Sequence, residues 1–369
     1  MNNLLENINE KLLMGPGPSS VSPEVYKSLS KFTIGHLDPQ FIKIMDTIKT
    51  QLQVLMGTKN ELTIPISGTG SAGMETCFVN LIEKNEDVLI LSNGVFGGRM
   101  IDVCERLGAN VDSLNIEWGK PITAKMVEEK INTKKYALIA IVHAETSTGV
   151  LNPIDEIAKL IKKTNSLFVV DAVTSLGGIP IKMDQWGIDA LYSGTQKCLS
   201  CPPGLSPVSF SEKAVHKLRK RKTKVPNWYL DLSMIASYWS GKQRVYHHTA
   251  PINMIYALYQ SLYNIIDEGV ENVFKKHLDA HNYLLNRLEK LNLELLVYKQ
   301  YRLPMLNAIK IPSGVSDIEI RNILLKKYNI EIGGGLGVLK DKIWRVGLMG
   351  HTAKKKNIDK LCNALSSII

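Results

Sequence analysis

The stretch IDALYSGTQKCLSCPPG, residues 188–204, frames the whole chain. A β-rich run, Ile188 to Ser193, gives way to small and polar residues, then Lys197, then Pro202-Pro203-Gly204. A lysine at such a turn is held at a strand end, where open α/β sheets gather their chemistry. Walled in, it sheds its proton and becomes an amine nucleophile. Twenty-six residues upstream, SLFVVDAVTSLGG puts Asp171 at the end of a fully apolar strand, Leu167 to Val170, before a glycine-rich turn. An amine at one strand end and a carboxylate at another is the pair that pyridoxal phosphate requires. The lysine forms the imine, and the carboxylate keeps the pyridine nitrogen protonated so that the ring acts as an electron sink. Taken alone, each residue has a plainer reading, the lysine as solvated and the aspartate as a helix cap.

Upstream, Leu62 to Ser67 reads as a strand, followed by Gly68-Thr69-Gly70-Ser71-Ala72-Gly73 and a helix through Met74 to Ile82. The free N–H groups and dipole of such a helix start receive a phosphate. A dinucleotide fold would need an acid at the end of the next strand. That strand, Val88 to Leu91, ends Ser92-Asn93-Gly94, so a single phosphate fits better than NAD. In the next loop Phe96 either stacks on a flat ring or fills the core, and a helix is expected over Arg99 to Leu107. Tyr136 to Val142 is a strand leading into His143-Ala144-Glu145-Thr146-Ser147-Thr148-Gly149. His143 and Glu145 are tempting as acid and base, but orienting the loop is the preferred reading. Strands and helices alternating over roughly 60–210 indicate an α/β fold, a mainly parallel sheet with helices on both faces.

The 369 residues are 44% hydrophobic and 22% charged, with a net charge of +10; a soluble globular protein of about two domains is expected. The densest basic run, residues 216–224, lacks the aromatic signature of RNA binding and reads as a solvated helix end. The five cysteines, Cys77, Cys104, Cys198, Cys201 and Cys362, are an odd, widely spaced set that points to a reducing compartment. Cys198 and Cys201 have zinc spacing but no further ligands declare themselves. MNNLLENINEKLL at the start is neither a secretory signal nor a transit peptide, and no run approaches the ~20 apolar residues of a membrane span. A cytoplasmic enzyme is expected, with neither a nucleic-acid nor a membrane partner.

Toward the other end, the adjacent pair His247-His248 chelates poorly, since neighbouring side chains point apart, and no metal site is expected. An amphipathic helix runs on from Val270. Leu306 to Ile311 and Ile343 to Gly347 read as strands, and Glu331 to Gly337 as a flexible glycine-rich loop. Arg345 stands inside an otherwise apolar strand, where it needs an anion. The anion is either a ligand carboxylate, which its planar fork fits, or a structural ion-pair partner.

VDAVTSLGG and YSGTQKCLSCPPG, with GPGP near the start, YHHTAP at 246–251 and RVGLMG near the end, resemble the fold-type I pyridoxal-phosphate aminotransferases. In particular they resemble the branch of alanine–glyoxylate, serine–pyruvate and serine–glyoxylate aminotransferases. The resemblance implies an N-terminal arm (1–20) lying across a partner subunit, a large cofactor-binding domain (21–268) and a small C-terminal α/β domain (269–369). It implies that Lys197 forms the imine with pyridoxal phosphate and moves the α-proton, and that Asp171 holds the ring nitrogen. Phe96 falls where a tryptophan stacks on the ring in animal enzymes, and Thr146 bonds the ring oxygen or nearby atoms. Thr69, Gly70, Ser71 and Gln196 hold the phosphate, together with Tyr246 and Thr249 of the partner in a homodimer with shared sites. Arg345 anchors the substrate α-carboxylate. The implied reaction moves the amino group of alanine or serine to a 2-oxo acid, glyoxylate first. Aminoethylphosphonate, ureidoglycine or aspartate as substrate is the alternative, and an NAD-dependent dehydrogenase a more distant one.

Overall fold

The structure, a computed structural model, describes residues 3–239 and 244–369; the first two residues of the expected arm lie outside it. Its centre is a seven-stranded sheet. In spatial order the strands are Leu62–Ser67, Leu205–Phe210, Ala190–Tyr192, Leu167–Asp171, Leu138–Val142, Asp87–Ser92 and Asn110–Asn115. Only Leu205–Phe210 runs against its neighbours; the other pairings are parallel. Both faces are covered, which is why Leu138–Val142 and Leu167–Asp171 are apolar runs buried at every position rather than alternating ones.

The register sets the chemistry. Asp171 pairs with Val142 on one side and Tyr192 on the other, at the C-terminal ends of all three strands. The strand Leu62–Ser67 points the same way, because it is antiparallel to a strand that is itself antiparallel to Ala190–Tyr192. The loops after Ser67, Ser92, Val142, Asp171 and Tyr192 therefore open on one edge of the sheet, the edge where such folds bind ligands.

The helices begin where the sequence caps them. Ser22 accepts from the Val25 N–H ahead of Pro23–Leu29, and Asp38 from Gln40 ahead of Pro39–Met56, each with proline in the first turn. The helix expected from Arg99 begins earlier, at Val95, and ends at Arg106. Its cap comes from another loop, so the local sequence does not announce it.

Beyond the helix Val270–Glu289, a second buried cluster gathers Leu284, Leu288, Trp344, Ile358 and Leu361. It packs on a three-stranded antiparallel sheet with Ile343–Gly347 in the middle, flanked by Leu306–Lys310 and Gly333–Gly334. The glycine-rich segment read as a flexible loop is thus corrected. Ile330–Glu331 and Gly333–Gly334 are short paired strands, and glycine is needed because a Cβ at Gly333 would meet Pro16 Cδ at 2.5 Å. Near the other terminus, Leu12–Leu13 pairs in parallel with Ile330–Glu331 of its own chain, and Met14 is buried in the second cluster. Residues 12–20 therefore run through the body of their own subunit, while Leu4, Leu5 and Ile8 stand exposed. No helix among the described residues is long and apolar enough to cross a membrane.

Candidate active site

Seven of the residues singled out from sequence meet in one cavity of about 220 Å³: Thr69, Gly70, Ser71, Phe96, Asp171, Gln196 and Lys197. They arrive at four places on the same sheet edge, after Ser67, after Ser92, at Asp171 and after Tyr192. Thr69 is the N-cap of the helix Gly70–Leu81 but makes no side-chain cap bond; the Ala72 N–H is taken by the Thr69 carbonyl at 2.8 Å, which leaves the Gly70 and Ser71 N–H groups without a cap where these residues line the cavity. Gln196 closes the same side, and its side-chain oxygen is buried with no hydrogen-bond partner. That oxygen is therefore available to a polar partner in the cavity.

Asp171 accepts the Val173 N–H at 2.8 Å. Burial pushes its carboxyl up to about 7, opposed by that N–H, by the neighbouring Tyr192 hydroxyl and by the charge of Lys197. Burial likewise brings the Lys197 amine down to about 8, and the charge of Arg345 adds to the effect. The Lys197 amine donates to the Pro16 carbonyl. The turn carrying it is tied to the same segment, since Ser19 Oγ donates to the Lys197 carbonyl at 2.7 Å and the Ser19 N–H to that of Gln196 at 2.9 Å.

Arg345 is buried and makes no ion pair with any acidic side chain among the described residues. Its Nε donates to the Gly334 carbonyl at 2.7 Å and its Nη1 to the Thr146 carbonyl at 3.3 Å. Two backbone acceptors fix the plane of the guanidinium and leave its charge uncompensated. Burial lowers its proton affinity to about 10, with the negative charge of Glu145 working the other way. The structural ion pair that the sequence left open is therefore absent among the described residues, and the fork is left with room for an anion of the kind its planar geometry fits.

Thr146 is buried beside Arg345 in the loop that follows Leu138–Val142. Glu145 and His143 do not serve as an acid and base facing the cavity. His143 is buried edge-on against Trp186, and burial lowers its proton affinity to about 4. Glu145 is spent on backbone N–H groups. Tyr246 and Thr249 lie outside the wall of the cavity, their hydroxyls 3.3 Å apart and Tyr246 exposed. His247 and His248 bond each other, and His248 reaches Ser67 Oγ at 2.8 Å, just before the Gly68–Ser71 turn. No metal-binding cluster exists among the described residues. Sequence reasoning missed Met74, Arg99, Val173 and Tyr192 in the wall. Arg99 had a signal: it lies three residues after Phe96 on one helix face, and its guanidinium sits 4.9 Å above that ring.

Residues 12–361 match the family described as Aminotransferase class-V. The chain belongs to the class-V aminotransferases. The alanine–glyoxylate aminotransferase of Rattus norvegicus is 41% identical over 97% of this chain and 87% of its own length. Among solved structures, the alanine–glyoxylate aminotransferase from Nostoc sp. superposes with a TM-score of 0.96 at 44% identity, covering 100% of this chain and 99% of that one. The ureidoglycine–glyoxylate aminotransferase from Bacillus subtilis superposes equally well, with a TM-score of 0.96 at 36% identity over 98% and 93% of the two chains. The protein is an aminotransferase of fold type I, a class whose members are generally pyridoxal-phosphate-dependent. The donor set of the cavity fits that cofactor. It offers uncapped helix N–H groups and an unpartnered amide for a phosphate, a carboxylate for a ring nitrogen, and a buried amine of lowered proton affinity for an aldehyde.

Proposed function

We propose that this class-V aminotransferase binds pyridoxal phosphate at Lys197 and moves the amino group of alanine or serine to glyoxylate. The observation that carries the proposal is the convergence of Lys197, Asp171 and the helix start at Gly70 on one cavity, with the unpaired Arg345 close enough to depress the lysine. When bound, the cofactor supplies an aldehyde carbon that condenses with amines and a ring that takes up the electron pair left as the α-proton departs.

The chain's residues do the rest. With its proton affinity near 8, the Lys197 amine has an appreciable unprotonated fraction at neutral pH, so it serves as nucleophile and then as carrier of the α-proton. Asp171 would hold the cofactor's ring nitrogen, whose positive charge would favour the ionised carboxylate and so keep the proton on the ring. Thr69, Gly70, Ser71 and Gln196 hold the phosphate, and Phe96 covers the ring. Thr146 would bond the ring oxygen or nearby atoms, and its carbonyl orients Arg345. The free edge of the Arg345 fork takes the α-carboxylate of either substrate. Residues 15–19 wall Lys197 from water. Tyr246 and Thr249, outside their own cavity, complete the phosphate site of a second copy in a homodimer. The arm, the large domain and the small domain are assigned to residues 1–20, 21–268 and 269–369, with residues 12–20 of the arm packed into their own subunit.

Small donors are favoured because the arginine that lines the cavity, Arg99, is occupied on Phe96 rather than aimed at a side-chain acid. Ureidoglycine is the rival donor, on the strength of the Bacillus subtilis likeness. The test is kcat/KM with glyoxylate for alanine, serine, ureidoglycine, aspartate and aminoethylphosphonate. Alanine or serine should lead; any other leader overturns the donor assignment.

A further inference from the structure

Glu145 is fully buried, and the reaction as described has no use for it. Its two oxygens are engaged in different directions. Oε1 accepts the Ser147 N–H at 3.0 Å and the Ser147 hydroxyl at 2.5 Å. Oε2 accepts the Phe96 N–H at 3.3 Å, and the Gly97 N–H also draws on the carboxylate. Ser147 Oγ in turn accepts the Val95 N–H at 3.0 Å. The first turn of the helix Val95–Arg106 is thus capped from another loop by a carboxylate and a hydroxyl acting together. The helix's own N-cap, Gly94, has no side chain to offer, and none fits: a Cβ there would lie 2.3 Å from Glu145 Cδ and 2.5 Å from Ser147 Oγ. Uncapped helix N–H groups and the positive end of the dipole favour an anion at this point.

The second residue of the capped turn is Phe96, whose ring faces the cavity. The same short loop carries Thr146, whose carbonyl holds Arg345. Glu145 therefore ties the ring-stacking side of the pocket to its carboxylate-binding side.

We propose that Glu145, with Ser147, is a positioning residue for the cofactor, acting through Phe96 by clamping the first turn of its helix. This rests on the cofactor reading above. The test is a double-mutant cycle on the full-length enzyme, with the dissociation constant of pyridoxal phosphate and the visible circular dichroism of the bound cofactor as readouts, and Tm measured alongside. Glu145→Gln keeps the shape but turns an amide N–H₂ toward backbone donors. It should weaken cofactor binding roughly five- to thirtyfold, the fold-change matching a lost cap of about 1–2 kcal/mol, and reduce the dichroism. Ser147→Ala should do the same to a smaller degree, and Glu145→Asp should recover part of the loss. In a Phe96→Ala background the Glu145→Gln effect on cofactor binding should largely vanish, because the group it positions is gone. Unchanged binding and dichroism in Glu145→Gln, or an effect fully additive with Phe96→Ala, overturns the proposal and leaves Glu145 as a fold element. Phe96→Ala binding cofactor as tightly as wild type would instead strike the stacking role itself, so the two failures are told apart.

Discussion

Asp171 and Lys197 stand on the same edge of one sheet with their proton affinities displaced toward each other, the carboxyl up to about 7 and the amine down to about 8, and burial is the largest cause for both. Displaced titrations of this kind gather where acid–base work is done. Each group is costly to keep charged where it is buried, and the ring nitrogen and aldehyde of the proposed cofactor would be their counterparts. The proposed pairing has measurable consequences for both residues.

Asp171→Asn should lower turnover on the order of a hundredfold or more, since the ring nitrogen loses the partner that keeps it protonated. Stability should move the other way. A carboxyl near 7 in the folded protein against 3.8 unfolded holds its proton more tightly when folded. Its stabilising effect is full below about pH 4 and lost as pH rises to about 7. The cofactor-free Asn variant, with no proton to lose, should therefore melt above wild type at about pH 8 and converge on it toward about pH 4. Near-normal turnover in this variant would reduce Asp171 to a cap for the turn at Val173.

Gly17→Ala should harm catalysis more than folding. Gly17 has φ +111°, a region costly for other residues, and a Cβ there would lie 2.8 Å from Lys197 Cδ and Nζ. Displacing the amine should lower kcat on the order of a hundredfold, with a stability cost of about 1–3 kcal/mol from the backbone. Steady-state kinetics beside thermal melts check this. Full kcat in the variant would mean that the segment at 15–19 does not wall the lysine.

Arg345→Ala should cost about 2–5 kcal/mol in kcat/KM, the range for truncating one partner of a buried charge pair. The loss should fall on alanine and on glyoxylate alike, because both present an α-carboxylate. Arg345→Lys keeps the charge without the fork and should recover only part. Simple amines without a carboxylate should be poor substrates of both. If Arg345→Ala spares every carboxylate substrate, the guanidinium serves only the Gly334 and Thr146 carbonyls.

Subunit mixing tests the shared site. In a hybrid of one Lys197→Ala and one Thr249→Ala subunit, isolated before assay, one site regains both wild-type residues, and activity absent from the Lys197→Ala parent should return. No recovery would mean that each site is built within one chain.

The strand–helix alternation, the Gly70 helix start and the Asp171–Lys197 pair were legible because they are local: apolar runs, glycines and one charged residue at each strand end. What escaped depends on contacts distant in sequence. The pairing of Leu12–Leu13 with Ile330–Glu331 spans only two residues and has no periodicity to reveal it. Without it, Gly15–Pro18 looks like a loose arm and Glu331–Gly337 like a free loop. The early start at Val95 and the burial of Glu145 are one fact seen from two ends, a cap supplied across some fifty residues. Arg345 was recognisable as a buried cation, but only the fold showed that backbone carbonyls rather than an acid surround it.

The most direct test is the position of the cofactor itself. The enzyme is incubated with pyridoxal phosphate, reduced with borohydride, digested, and the modified lysine located by mass spectrometry. A visible absorption band is expected before reduction and the pyridoxyl group on Lys197 after it, with Lys197→Ala folded, unlabelled and inactive in transamination. A label on any other lysine of the wild type, or an active Lys197→Ala enzyme, would contradict the assignment of Lys197.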